Sequence, residues 1–267
     1  MARKTETEPS QIAETVKTIV WAAIIAVGIR TFAYEPFSIP SGSMIPTLLV
    51  GDYLFVSKTA YGYSRFSFPW GLVPVEGRIW GDTPERGDVV VFRPPGEPQT
   101  DFIKRVIGLP GDRIQVKDGL LHINGQAVKR ERIEDFVDTT SVYGGTFPQY
   151  LETLPGGVSH RIIEKQGDGS SSDNTPVYVV PQGHYFMMGD NRDGSRDSRA
   201  LASGVWSDTT REITEAKDLD TVGFVPYENL IGPAKILFWS YGEEFKLTNP
   251  LTWVTALRWQ RLGNLVE

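Results

Sequence analysis

The chain has 267 residues, 40% of them apolar and 22% charged, which is enough to bury a core and excludes a wholly disordered protein. A formal net charge of −6 sets it apart from duplex-binding proteins, which carry a basic face, and no nucleic-acid partner is expected. With no cysteine and only His122, His160 and His184 as histidines, disulfides, thiolate nucleophiles and Cys-based zinc sites are ruled out, so catalysis has to rest mainly on Ser, Lys, Arg, Asp, Glu or Tyr.

Residues 1–15 form a polar tail of mixed charge. From 16 to 33 the sequence reads VKTIVWAAIIAVGIRTFA, uncharged between Lys17 and Arg30. As a helix this stretch spans about 27 Å, close to the hydrocarbon thickness of a bilayer once Lys17 and Arg30 snorkel outward. A buried core helix and a cleaved signal peptide compete with that reading. The following RTFAYEPF lacks the small residues of a cleavage site, so we read an uncleaved transmembrane helix. Arg3, Lys4 and Lys17 precede it and Arg30 alone follows closely, which places the N-terminus in the cytoplasm and the rest of the chain outside.

That remainder reads as mainly β. GDVVVF (87–92), DFIKRVIGL (101–109), DRIQV (112–116), LLHI (120–123), PVYVV (176–180) and HYFMMG (184–189) are short runs rich in Val, Ile and aromatics, and turn residues bound them. Asp118-Gly119 and Asn124-Gly125 are hairpin signals. Stretches 62–86 and 136–175 read as long loops, and 202–221 as a polar, acidic excursion. In the tail, 246–267, Leu251, Val254 and Leu257 recur at near-helical spacing and predict a short amphipathic helix. Trp253, Trp259 and the aromatic loop 61–71 suit either a membrane interface or ordinary core packing.

Three stretches carry candidate chemistry. PFSIPSGSMIPTLLVGDYLFVSK (36–58) holds Pro36, Pro40 and Pro46, so its serines sit in irregular backbone rather than in a helix or central strand. The apolar Phe37, Ile39, Met44, Ile45, Leu48 and Leu49 around them fit a groove better than a linker. In DFIKRVIGLPGD (101–112), strand alternation sends Lys104 and Phe102 to one face and Ile103 and Arg105 to the other. A lysine buried there has a depressed pKa; a lysine facing solvent is the commoner arrangement. MMGDNRDGSRDSR (187–199) is a dense polar loop, readable as surface ion pairs or as an Asp cluster for calcium, although the EF-hand spacing fails. A serine activated by a desolvated lysine needs no histidine.

Together, S-G-S-M-x-P-T at 41–47, K-R-x-x-G-x-P-G-D at 104–112, G-D-N-R-D-x-S-x-D-S-R at 189–199 and GFVP at 223–226, in this order behind an apolar helix, resemble the bacterial type I signal peptidase (leader peptidase) family. The resemblance runs from about residue 30 to 242. It departs from the family pattern between Arg199 and GFVP, where about 23 residues intervene.

The resemblance implies a serine endopeptidase that removes N-terminal signal peptides from exported preproteins through an acyl-enzyme, with neither cofactor nor metal. Ser43 matches the nucleophile and Lys104 the general base. Ser41 joins the Ser43 N–H in the oxyanion hole, and Ser195 orients the lysine. Asp197 with Arg199 and Asp190 with Arg105 match supporting ion pairs. Phe92, Phe102 and Met187 would shield the lysine, and these three with Phe37, Ile39, Pro40, Met44, Leu48 and Ile103 make up the substrate pocket for A-x-A sites. Its implied fold is an antiparallel β catalytic domain, 34–112 with 185–245, around an inserted β subdomain, 113–184. The partners it implies are preproteins and the lipid bilayer, with the Sec/Tat machinery transient at most, and the location it implies is the bacterial inner membrane with the catalytic part on the periplasmic face.

Overall fold

The structure, a computed structural model, describes residues 11–68, 77–140, 144–170, 172–201 and 209–267. Arg3, Lys4, the far end of the 61–71 loop and the first part of the acidic excursion lie outside the described residues.

Gln11–Phe32 is one helix of 22 residues. It begins five residues earlier than the apolar run, because polar Gln11, Glu14 and Thr15 extend it by more than a turn, with Thr15 Oγ1 donating to the Gln11 carbonyl. Nothing on it is buried, and Ile19, Trp21, Ile24, Ile25, Val27 and Ile29 are all more than half exposed. A helix apolar on every side, whose residues from Ile19 to Ile29 none of the described residues covers, matches a hydrocarbon environment rather than water. At its end, the Tyr63 hydroxyl donates to the Phe32 carbonyl, and the Phe32 ring meets Tyr63 and Phe68 edge-on.

The rest is mainly β. The largest sheet among the described residues runs Tyr34–Ser38, Asp52–Ser57, Leu230–Ser240, Val89–Phe92, Phe102–Gly108, His184–Met188, Val225–Pro226, each strand antiparallel to its neighbours. Pro36 is tolerated because Tyr34–Ser38 is an edge strand. The sheet buries both faces in its middle: Val89 and Val91 pack with Ile39, Leu54 and Ile231, while Val90 and Phe92 pack with Val106, Met187 and Leu230. Smaller sheets fill the chain between Gly108 and His184. One contains Arg113–Lys117, Leu120–Ile123 and Val177–Val179 and takes in Glu212–Ile213 from the acidic excursion as a parallel strand. Asp118 and Gly119, with φ of 48° and 71°, and Asn124 and Gly125, with 55° and 81°, make the two tight turns in the left-handed region that such residues accept.

Two expectations need correction. The 136–175 stretch is not a long loop: it holds the strands Phe136–Asp138, Gly145–Phe147, Gln149–Thr153 and Ser159–Ile163. Sequences such as QYLET and SHRII have one apolar face at most and escape a search for apolar runs. In the tail, the helix is a single turn, Thr252–Thr255. Leu251 and Val254 are exposed whereas Leu257 is buried, so the apparent apolar stripe does not form one face. Trp253 and Trp259 are 45% and 59% exposed, which removes the core reading for both.

Candidate active site

Ser43 sits in the irregular turn between Tyr34–Ser38 and Asp52–Ser57. Hydrogen bonds from Ile39 N to the Asp52 carbonyl (2.8 Å) and from Gly51 N to the Ile39 carbonyl (3.0 Å) close the base of this turn. Asn191, which sequence reasoning passed over, fixes its tip: Asn191 N donates to the Ser43 carbonyl at 3.2 Å and Asn191 Nδ2 to the Gly42 carbonyl at 2.8 Å. Its place inside G-D-N-R-D was the available signal. The Ser43 N–H finds no acceptor among the described residues.

Lys104 lies in Phe102–Gly108 directly opposite Val90. Its face of the sheet is shared with Val90, Phe92, Phe102 and Val106, so the side chain reaches Ser43 through apolar surroundings. Lys104 Nζ donates to Ser43 Oγ at 2.8 Å and to the Ile103 carbonyl at 2.7 Å, and lies 5.5 Å from the Phe102 ring centre. Lys104 is 3% exposed and Ser43 8%. Burial lowers the Lys104 ammonium to about 8, against the opposing pull of Asp197 and Asp190.

Those two carboxylates are themselves neutralised. Arg105 grips Asp190 through Nε (2.9 Å) and Nη2 (2.8 Å), with both residues almost wholly buried. Arg199 grips Asp197 in the same two-pronged way, at 2.9 Å in each contact. Burial alone would raise both carboxyls, but the guanidiniums more than offset it and hold them below the usual carboxylate range. Asp197 also accepts from Gly189 N at 3.0 Å, and Thr47 Oγ1 donates to Asp190 at 2.5 Å.

A cleft of about 650 Å³ opens over the pair, lined by Phe37, Ile39, Pro40, Ser41, Phe102 and Ile103 among others. Ser41 is exposed within it. Arg30, from the last turn of the N-terminal helix, lines the same cleft, as does Arg196, whose guanidinium lies 5.2 Å from the Phe102 ring centre.

Other expected residues lie elsewhere. Met44, Leu48, Phe92 and Met187 do not line the cleft; all four are fully buried. After Ser43 the chain turns inward, and Leu48 N bonds to the Met44 carbonyl, so these two side chains enter the core beside Leu54 and Val56. Phe92 and Met187 form the apolar backing behind Phe102 and Lys104. Ser195 Oγ is buried and makes no hydrogen bond to Lys104 or to any other group among the described residues. It crowds the same face of Gly189 as the Ser43 carbonyl.

This combination of one apolar N-terminal helix, a mainly β body and a buried serine and lysine under a cleft defines the class of a membrane-associated hydrolase. The sequence matches the family described as signal peptidase, peptidase S26, over residues 12–239. Similar proteins include a signal peptidase I of Rickettsia canadensis, 38% identical over 85% of this chain and 80% of its own. Another, from Rickettsia akari, is 37% identical over 89% and 85%. A crystal structure of a signal peptidase I from Enterococcus faecalis aligns with 57% of this chain and 97% of its own, at 25% identity and a TM-score of 0.29. The chain belongs to the signal peptidase family and is a peptidase that cleaves signal peptides.

Proposed function

We propose that the chain is a membrane-anchored serine endopeptidase in which Ser43 is the nucleophile and Lys104 the general base. The observation that carries this reading is the 2.8 Å approach of Lys104 Nζ to Ser43 Oγ inside an apolar enclosure that opens on a cleft. Neutral Lys104 takes the Ser43 proton as Oγ attacks the scissile carbonyl, and the resulting ammonium returns it to the departing amine. The acyl-enzyme ester left on Ser43 is then hydrolysed by a water that Lys104 deprotonates. Negative charge on the carbonyl oxygen is met by the uncommitted Ser43 N–H and the Ser41 hydroxyl, donors worth about 10²–10³ in rate each.

Residues 34–112 and 185–245 form the catalytic part in this reading, with 113–184 inserted between them. Gln11–Phe32 crosses the inner membrane with its N-terminus in the cytoplasm. Arg30 at the cleft supports a site close to the bilayer, where a substrate still anchored by its own apolar segment presents its cleavage site. Phe37, Ile39, Pro40, Phe102 and Ile103 offer shallow walls that suit small side chains, in keeping with A-x-A sites.

The test is an A-x-A reporter preprotein incubated with the detergent-solubilised enzyme and read by mass spectrometry. Cleavage just after the second alanine is expected from the wild type and none from Ser43→Ala or Lys104→Ala. Processing that survives in either variant, or a cut elsewhere, sinks the assignment.

A further inference from the structure

Glu164, Asp173 and Asp193 each bring a carboxylate oxygen to within 4.8 Å of the other two. Glu164 and Asp173 belong to the segment after Ser159–Ile163 and are 1% exposed apiece. Asp193 comes from the loop that also carries Asp190, Ser195 and Asp197. Three carboxylates this close, two of them out of water, repel one another unless a proton or a cation intervenes.

The surrounding guanidiniums are committed elsewhere. Arg192 holds Glu152 by two contacts, Arg199 holds Asp197, and Arg130 holds Asp168 at 2.9 Å through each of its terminal nitrogens. Arg130 reaches Glu164 Oε1 only at 3.8 Å. Glu164 Oε2 and Asp193 Oδ1, meanwhile, are buried with no hydrogen-bond partner among the described residues. Buried acceptors that accept nothing are rare in folded proteins, and two in one acidic cluster point to a positive ligand. The donor set is oxygen alone, without thiol or imidazole, which selects a hard divalent cation. One calcium ion, with Ca–O near 2.4 Å, bridges oxygens up to about 4.8 Å apart and accepts irregular geometry completed by water, whereas magnesium demands a tighter octahedron.

We propose that Glu164, Asp173 and Asp193 form a calcium site that fastens the loop 189–199 to the segment following Ser159–Ile163. Hydrogen bonds already hold the loop against the end of that strand and the segment behind it: Ile163 N to the Asp190 carbonyl and Arg192 N to the Ile163 carbonyl, both 3.0 Å, and Gln166 N to Asp193 Oδ2 at 2.7 Å. A bound ion adds a tie at Asp193, two residues from Ser195. Protonation within the cluster is the competing way to relieve it.

The experiment takes the full chain in detergent micelles, strips it with EDTA, and titrates it with calcium chloride by calorimetry while thermal unfolding is followed in parallel. The expected result is one equivalent of calcium bound, a midpoint raised by at least about 3 °C at saturation, and weaker binding of magnesium. Glu164→Gln and Asp173→Asn each weaken calcium binding at least about tenfold, since each removes one charged ligand. The proposal is overturned by a wild type that neither binds nor is stabilised at about 10 mM calcium, by magnesium binding more tightly than calcium, or by calcium binding unchanged in whichever of the two variants folds.

Discussion

Lys104 Nζ stands 2.8 Å from Ser43 Oγ, at the end of a side chain that shares its sheet face with Val90, Phe92 and Val106. The lysine that would be the base is therefore placed by the same apolar packing that lowers its ammonium to about 8. A general base works only when unprotonated. We expect kcat/KM on a peptide reporter to rise about tenfold per pH unit below pH 8 and to level off above it. A rate that stays flat down to about pH 5 contradicts a lysine base.

The same burial has a thermodynamic consequence that can be separated from catalysis. Lys104 has its folded pKa below the unfolded value of 10.5, so its enclosure destabilises the protein fully below about pH 8, and the penalty fades as pH rises toward 10.5. A depression of this size corresponds to about 3 kcal/mol. Lys104→Met, which fills similar space without charge, is expected to abolish processing while raising stability at pH 7 by about 1–3 kcal/mol. Denaturant unfolding at pH 7 and pH 10 checks it. A variant less stable than the wild type at pH 7, or an advantage that grows with pH, contradicts the argument.

Ser195 offers a second separation of stability from activity. Once neutral, Lys104 has two N–H groups and a lone pair; with the lone pair turned to the Ser43 proton it takes and one N–H kept on the Ile103 carbonyl, one N–H is left. Ser195 Oγ, on the side of Gly189 that also faces the Ser43 carbonyl, is buried without a partner among the described residues. A role in steering the lysine during the reaction predicts that Ser195→Ala lowers kcat at least about tenfold while KM holds, with thermal stability unchanged or improved because an unsatisfied hydroxyl is removed. Ser195→Thr, which restores the hydroxyl, should recover part of the rate. Full activity in the alanine variant makes Ser195 a bystander.

Much of this architecture could be read from residues alone, and the failures have physical causes. Phe102–Gly108 and His184–Met188 announce themselves because strands buried on both faces are continuous apolar runs. Lys104 stands out as the charge within one of them. Leu230–Ser240 escaped because Gly232 and Pro233 interrupt it; in the structure the register shifts there, and a side chain on Gly232 would strike the Ser57 carbonyl. The groove reading failed for Met44 and Leu48 because apolar composition does not say which side of a turn faces solvent. The Glu164, Asp173 and Asp193 cluster was invisible in a different way. Glu164 and Asp173 come from one segment and Asp193 from another, 20 residues further on, and the third carboxylate joins the other two because Ile163 pairs with the Asn191 segment.

Gly189 tests the site's geometry most directly, because it contributes no functional group. It is buried, its N–H is held by Asp197 at 3.0 Å, and a Cβ built on it would lie 2.5 Å from the Ser43 carbonyl and strike Ser195 as well. Neither obstacle is the far end of a flexible side chain: one is backbone and the other a short hydroxymethyl. Gly189→Ala must push the Ser43 turn away from its sheet, and a shift of about 1 Å at a reacting atom costs on the order of 10²-fold in rate. We expect a loss of kcat of that order with the protein still folded by circular dichroism. Slower acylation of Ser43 by a β-lactam-type penem, followed by mass spectrometry, should accompany it, since that reaction depends on the serine's position and not on preprotein binding. Wild-type acylation in Gly189→Ala would mean that the Ser43 turn accommodates the methyl group without moving, and that the close contact across Gly189 does not set the nucleophile.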